Sequence, residues 1–217
     1  MRLTEALDKK IIHENMSDRR HYIFNDNIRE IIDPIEFQNG RVIEIDFNNV
    51  EKIIGSVDLS DNEIFNINFG KLKYIKGDFI DFSNNLLRSI NGFEKVTLDI
   101  QNLLLCYNKF SLLDLSNFKF INSNEKLFID VSGTKIENLM FPPNLNIKRI
   151  KMEECYMLKN IFFNNLKTKK MSISDDMRKR SVKYSGKCAI EISFDICETS
   201  LFGDRTILTQ IKGPFNL

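Results

Sequence analysis

The sequence predicts an α/β-type repeat solenoid, with one short strand per repeat stacked in parallel into a single sheet. Three observations predict it. First, VDLSDNEI from Val57, IDFSNNLL from Ile80, LLLCYNKF from Leu103 and IDVSGTKI from Ile129 each place apolar residues at relative positions 1, 3 and 8. VIEIDFNNV from Val42 does the same when counted from Ile43. Second, Asn holds position 6 in four of these five segments. Third, Asn62, Asn85, Asn108, Thr134 and Cys155 follow one another at near-equal intervals. Those intervals all fall within the roughly 20–29 residues of a leucine-rich repeat. The expected architecture is therefore a leucine-rich-repeat arc with a parallel sheet on its concave face and an irregular convex side.

The N-terminal elements read as caps. Leu3, Leu7 and Ile11 stand at helical spacing, which predicts an amphipathic helix over 3–16. A second short helix is expected from Asn27 to Ile32, stopped by Asp33-Pro34. Alternating apolar residues flank Asn39-Gly40, a strong hairpin signal. Residues 1–34 thus read as an N-terminal helical cap and 35–54 as a β-hairpin cap. Asn48 stands too close to Asn62 for a full repeat to fit between them, and is grouped with the hairpin. The repeats proper are expected over 55–186, and a degenerate repeat with a C-terminal cap over 187–217.

Within each repeat the Asn side chain is expected to turn inward. Its amide both donates and accepts, so it can satisfy backbone groups that would otherwise be buried unpaired. Thr134 keeps part of that capacity and Cys155 little of it.

Residues 35 to about 165 also resemble a group of uncharacterised leucine-rich-repeat proteins of tailed bacteriophages. Gly55-Ser56-Val57-Asp58-Leu59-Ser60, Phe69-Gly70-Lys71-Leu72 and Lys76-Gly77-Asp78-Phe79 carry the resemblance. Asp81-Phe82-Ser83-Asn84-Asn85 and the Asn91-Gly92 pair continue it, and IKMEECYMLKNI is similar to the group's Cys-bearing repeat form. The resemblance implies the fold and a viral origin. It implies no catalytic residue.

Composition narrows the function. The 217-residue chain carries a net charge of +1, unevenly spread. Residues 1–147 hold 17 Lys and Arg against 22 Asp and Glu, whereas residues 148–187 hold 12 against 4. No apolar run is long enough to span a bilayer, so no membrane partner is expected. The N-terminus lacks the basic-then-apolar order of a signal peptide. The four cysteines form no CxxC pair. A reducing cytoplasm, that of a host cell for a phage protein, is the expected compartment.

Enzyme signals are poor. His13 and His21 are the only histidines, and Ser17 occupies the second histidine place of an HExxH motif. No phosphate-binding glycine loop or nucleophile elbow occurs. Neither a catalytic residue, a metal ligand nor a cofactor is assigned.

The outward strand positions are the candidate binding face. They give Asp58, Asp81, Leu104, Asp130 and Lys151 in one column, headed by Glu44. Phe79, Phe128, Arg149 and Lys170 lie beside them, with Tyr107 at the border. A column of like charges weakens a sheet, and exposed aromatics mark interaction sites. The leading expectation is a non-enzymatic module that binds another protein, a host protein that it would inhibit. One alternative is a virion component docked by its N-terminal helix. Another is nucleic-acid binding through the 148–187 stretch, with Lys167, Lys169, Lys170, Arg178, Lys179, Arg180 and Lys183 as phosphate contacts.

Overall fold

The computed structural model describes residues 20–121, 127–163, 166–173, 183–185 and 188–190. Over these residues the chain is a parallel β-solenoid with almost no helix. The first turn holds β1 (Arg20–Ile23), β2 (Glu30–Ile31) and β3 (Ile35–Glu36). The second holds β4 (Val42–Asp46), β5 (Lys52–Ile54) and β6 (Val57–Asp58). Then come β7 (Asn66–Asn68), β8 (Tyr74–Lys76) and β9 (Phe79–Asp81). β10 (Thr97–Asp99) and β11 (Asn102–Leu104) follow a 3-10 turn at Phe93–Lys95. β12 (Leu112–Asp114), β13 (Lys119–Phe120) and β14 (Phe128–Asp130) make the next turn. The C-terminal part holds β15 (Asn138–Met140), β16 (Asn146–Met152), β17 (Asn160–Phe162), β18 (Leu166–Ile173), β19 (Lys183–Ser185) and β20 (Cys188–Ile190).

Each strand pairs in parallel with its counterparts one turn away. The longest sheet has eight strands, in the order β3-β6-β9-β11-β14-β16-β18-β20. A five-stranded sheet joins β2, β5, β8, β10 and β13. The remaining strands form a three-stranded sheet, β1-β4-β7, and a four-stranded sheet, β12-β15-β17-β19. These last two hold the same place in the order of each turn. Arg88-Ser89-Ile90 lies between them in that order and forms no strand. Isolated bonds still tie the neighbouring turns there: Leu86 N–H to Ile64 O (2.9 Å) and Lys109 N–H to Leu87 O (2.8 Å).

Most strands are two or three residues long and bury one or two of them, whereas the longer β4 and β16 each bury three. Those residues repeat at the solenoid period on every face. Ile53, Ile75 and Leu98 are buried on the five-stranded sheet, and Val57, Ile80, Leu103, Ile129 and Ile150 on the eight-stranded one. β-Branched and leucine side chains stack well on a pleated surface. A row of phenylalanines, Phe24, Phe47, Phe69, Phe93 and Phe118, runs through the interior with ring centroids 4.7–6.1 Å apart.

Corners set the period. The chain leaves the eight-stranded sheet through one left-handed residue per turn: Asn39, Asp61, Asn84, Tyr107, Gly133 and Glu154, with φ between 52° and 64°. Asn, Asp and Gly tolerate that region best. At the corner entering this sheet, a Cβ on Gly77 would stand 2.6 Å from Gly55 O, so successive turns touch backbone to backbone.

The Asn ladder forms as expected. Asn85 Nδ2 donates to Leu59 O, Phe82 O and Ser83 O, and its Oδ1 accepts from Ile64 N–H. Asn62 and Asn108 repeat this one turn to either side. Thr134 keeps one such bond, Oγ1 to Val131 O at 2.7 Å, and Cys155 Sγ sits 3.1 Å from the same carbonyl.

Several expectations are corrected. The hairpin at Asn39-Gly40 does not form. β3 pairs with β6 and β4 with β1 and β7, all in parallel, so 35–54 is ordinary solenoid and Asn39-Gly40 is a corner. Gly40 N–H donates to Asn62 Oδ1, which draws the corner onto the ladder. The helix expected at Asn27–Ile32 is a turn followed by β2. Asn25 Oδ1 accepts from Asn27 N–H, Ile31 pairs with Ile53, and so short a segment cannot offset helix nucleation. The irregular convex side is replaced by further parallel sheets. Asn48 is no ladder residue: it lies at a different corner, where Nδ2 donates to Phe24 O. That is why it stands closer to Asn62 than one repeat. The helix expected over 3–16, and most of the cap expected over 187–217, lie outside the described residues.

Candidate recognition face

The eight-stranded sheet brings most of the candidate residues into one register. Asp58 pairs with Asp81, Asp81 with Leu104, Leu104 with Asp130 and Asp130 with Lys151. Beside them Phe79 pairs with Asn102, Asn102 with Phe128, Phe128 with Arg149 and Arg149 with Lys170. Glu44 does not head this column. It sits on β4, in the three-stranded sheet, with Oε2 3.0 Å from His21 Nδ1. Glu36 of β3 takes the place next to Asp58. Tyr107 stands off the strand, at the left-handed corner residue, and is exposed.

The carboxylates have a local cause that sequence reasoning missed. Asp58 Oδ1 accepts from Ser60 N–H at 3.0 Å and Ser60 Oγ–H at 2.6 Å. Asp81 holds Ser83 in the same way, and Asp130 accepts from Ser132 N–H at 2.9 Å. Each Asp thus caps its strand end through an Asx turn, using one oxygen. The signal was present as the repeated Asp-x-Ser of Asp58-Leu59-Ser60, Asp81-Phe82-Ser83 and Asp130-Val131-Ser132. The column therefore needs no partner to explain its existence. Its second oxygens still give the N-terminal end of the face its sign.

Charge changes along the sheet. Asp58 and Asp81 are half-buried and adjacent. Burial pushes the Asp81 carboxyl above the usual range; the Ser83 bonds oppose this, and the charges of Asp58 and Asp61 add to it. Asp130 is buried, with Lys151 Nζ 3.7 Å from it and 3.1 Å from Glu153. Burial alone would lower the Lys151 pKa, but the bond to Glu153 and the charge of Asp130 carry it upward. Arg149 lies 5.8 Å over the Phe128 ring and donates through Nη2 to Ser172 Oγ at 2.8 Å. The face thus runs from acidic, through Leu104 and Phe128, to basic.

Tyr107 marks one border. Bulky residues seldom hold a left-handed φ, which costs roughly 1–2 kcal/mol. Its ring lies against Gly133, where a Cβ would meet Tyr107 Cδ1 at 2.3 Å. The carboxylate of Glu154 raises the Tyr107 pKa, with burial adding to it. Tyr107 lines a groove together with Gly133, Glu154 and the exposed Tyr156 and Met157.

Nucleophile chemistry is poorly served here. Burial pushes the Cys106 thiol up to about 11, and Asp130 and Asp81 reinforce it. Burial also raises the Cys155 thiol. Among the described residues no group of three or more His, Cys, Asp or Glu side chains is placed to hold a metal ion. Among the described residues no helix is long and apolar enough to cross a membrane.

Asp81 gives a test of the electrostatics. Its carboxyl holds a proton to higher pH in the folded chain than in the unfolded chain. The folded state binds more protons between the two pKa values, so stability falls as pH rises through that window. Asp81→Asn keeps the acceptor for Ser83 and removes the charge. Relative to wild type, Asp81→Asn is expected to gain stability as pH climbs from about 3 to about 7. Urea unfolding across that range checks it. A difference that is flat, or that shrinks with pH, contradicts the raised pKa.

Comparison of the chain with protein-family models, with curated proteins and with solved structures finds no match.

Proposed function

We propose that this protein is a non-enzymatic recognition module that binds another protein through the outer face of its eight-stranded sheet. One observation carries the reading. A single register aligns half-buried apolar side chains, Phe79, Leu104 and Phe128, between an acidic and a basic end. Apolar anchors with a charged surround are the anatomy of a protein interface. The rigid stack of strands beneath holds them without further ordering cost. The leucine-rich-repeat character and the phage origin belong to the same proposal. The repeat interval and the Asn ladder support the former, and the quoted motifs support the latter.

Leu104 is the residue to test. It takes no part in an Asx turn, and it stands at the middle of the face. Leu104→Lys is expected to fold as wild type, by circular dichroism and unfolding midpoint, yet to lose at least tenfold in capture of wild-type partners from native lysate. That loss corresponds to about 1.4 kcal/mol. An unchanged partner set for a folded Leu104→Lys would sink the reading.

A further inference from the structure

We infer that the outer face of the eight-stranded sheet pairs with the same face of a second copy of this chain, through a two-fold axis. The inference rests on the reading above that this face is a recognition surface, and it names the occupant.

The order of side chains carries it. Along the sheet the outward positions are Glu36, Asp58 and Asp81, then Leu104, then Asp130 and Lys151; Ser172 follows in register but is buried, its hydroxyl bonded by Arg149. The neighbouring column carries Phe79, Asn102, Phe128 and Arg149. A two-fold axis sets position i of one copy against position j of the other, and j against i. A face with opposite signs at its two ends is complementary to itself under that operation. A face of one sign is not.

Register places the axis. It passes between β11 and β14, the two strands that carry Leu104 and Phe128. Asp81 on β9 and Lys151 on β16 then lie at equal distances from it, one and a half strand spacings, or about 7 Å. Asp81 of each copy faces Lys151 of the other. Phe79 of each copy faces Arg149, the geometry of a cation–π contact that Arg149 already makes with Phe128 inside one chain. Leu104 and Phe128 meet near the axis and exclude water. Asp130 sits opposite Leu104 but is buried, so little of its carboxylate reaches the facing copy. Lys151 is held in place by Asp130 and Glu153, which leaves less freedom to lose on contact.

Size sets the strength. Eight strands span about 34 Å and a three-residue strand about 10 Å, so the flat face covers roughly 340 Å². Stable interfaces bury about 800 Å² per partner. The dimer is therefore weak, and salt weakens it further, because its complementarity is largely one of charge.

Sedimentation velocity on the purified full chain tests it. Wild type at about 0.1 mM and low ionic strength is expected to be mainly dimer, with at least a tenfold rise in Kd at about 1 M salt. Asp58→Lys with Asp81→Lys makes both ends basic. Arg149→Glu with Lys151→Glu makes both ends acidic. Each doubly substituted chain is expected to be monomeric alone, and an equimolar mixture of the two is expected to regain the dimer. Asp58→Asn with Asp81→Asn keeps the Asx turns and is expected to weaken the dimer at least tenfold, which covers the case of a misfolded lysine variant. A monomeric wild type at low salt, a dimer indifferent to the asparagine variant, or folded variants that do not recombine would each overturn the inference. A monomeric wild type whose captured partners are still lost on Leu104→Lys would leave the recognition reading standing without the dimer.

Discussion

Asn85→Ala is expected to destabilise the chain by about 2–4 kcal/mol: one buried backbone N–H is left without a partner, at about 1–3 kcal/mol, and three carbonyls each lose one of their two donors. Asn85 is buried, and its amide serves four backbone groups from two successive turns. Truncation strands the Ile64 N–H. It also takes one donor from each of Leu59 O, Phe82 O and Ser83 O, which keep Asn62 Nδ2, Asn108 Nδ2 and Asp61 N–H as their other donors. Water cannot compensate, because the corner is packed above and below by the equivalent residues Asn62 and Asn108. Asn85→Thr is expected to cost less, since Thr134 shows that a hydroxyl in this place reaches the carbonyl three residues back. The check is urea unfolding, with a lower midpoint at unchanged slope. A loss below about 1 kcal/mol for Asn85→Ala would mean that the ladder is decoration rather than support.

The same ladder marks how far the sequence was legible. Its period was readable because Asn62, Asn85 and Asn108 fall at equal spacing and because Asn satisfies that corner more fully than the Thr134 or Cys155 that follow. The other faces carry periods as regular. Ile53, Ile75 and Leu98 recur at nearly the same interval, and so do Phe24, Phe47 and Phe69. They went unread because Ile, Leu and Phe are common and any of them fills an inward place. The misreading of Asn39-Gly40 has the same root. Left-handed residues serve a hairpin and a solenoid corner equally well, and only the pairing of β3 with β6 decides between them. On the candidate face, register was derivable from alternation alone, so Asp58, Asp81, Leu104, Asp130 and Lys151 fell into line. Glu44 failed because its strand lies one face away. What alternation could not give was the Asx turn behind each Asp. A hydrogen bond between near neighbours in the chain leaves no mark on hydrophobic pattern, and it moves the cause of the acidic column from partner to chain.

Phe93→Ala is the second large effect, expected at about 3–5 kcal/mol for a fully buried ring. Phe93 is completely buried at the 3-10 turn Phe93–Lys95. Its ring stacks on Phe69 at 4.7 Å, tilts against Phe82 at 5.7 Å and meets Phe118 edge-on at 5.4 Å. This is also the turn in which Arg88-Ser89-Ile90 forms no strand, between the three-stranded and the four-stranded sheets. Backbone pairing there is thinnest, so side-chain packing carries more of the coupling between the turns on either side. In a solenoid each turn contacts only its neighbours, and a weak interface lets the two parts unfold separately. Phe93→Ala is therefore expected to broaden the unfolding transition or split it, as well as lower its midpoint. Phe93→Leu keeps most of the volume but loses the aromatic geometry, worth about 0.5–1.5 kcal/mol per pair. It is expected to shift the midpoint less and keep one transition. Hydrogen exchange separates the outcomes: in Phe93→Ala, amides of β14 and β16 lose protection to a different extent from those of β4 and β5. Uniform loss along the chain, with one sharp transition, would show that the strand ladders of the other two faces alone make the solenoid a single cooperative unit.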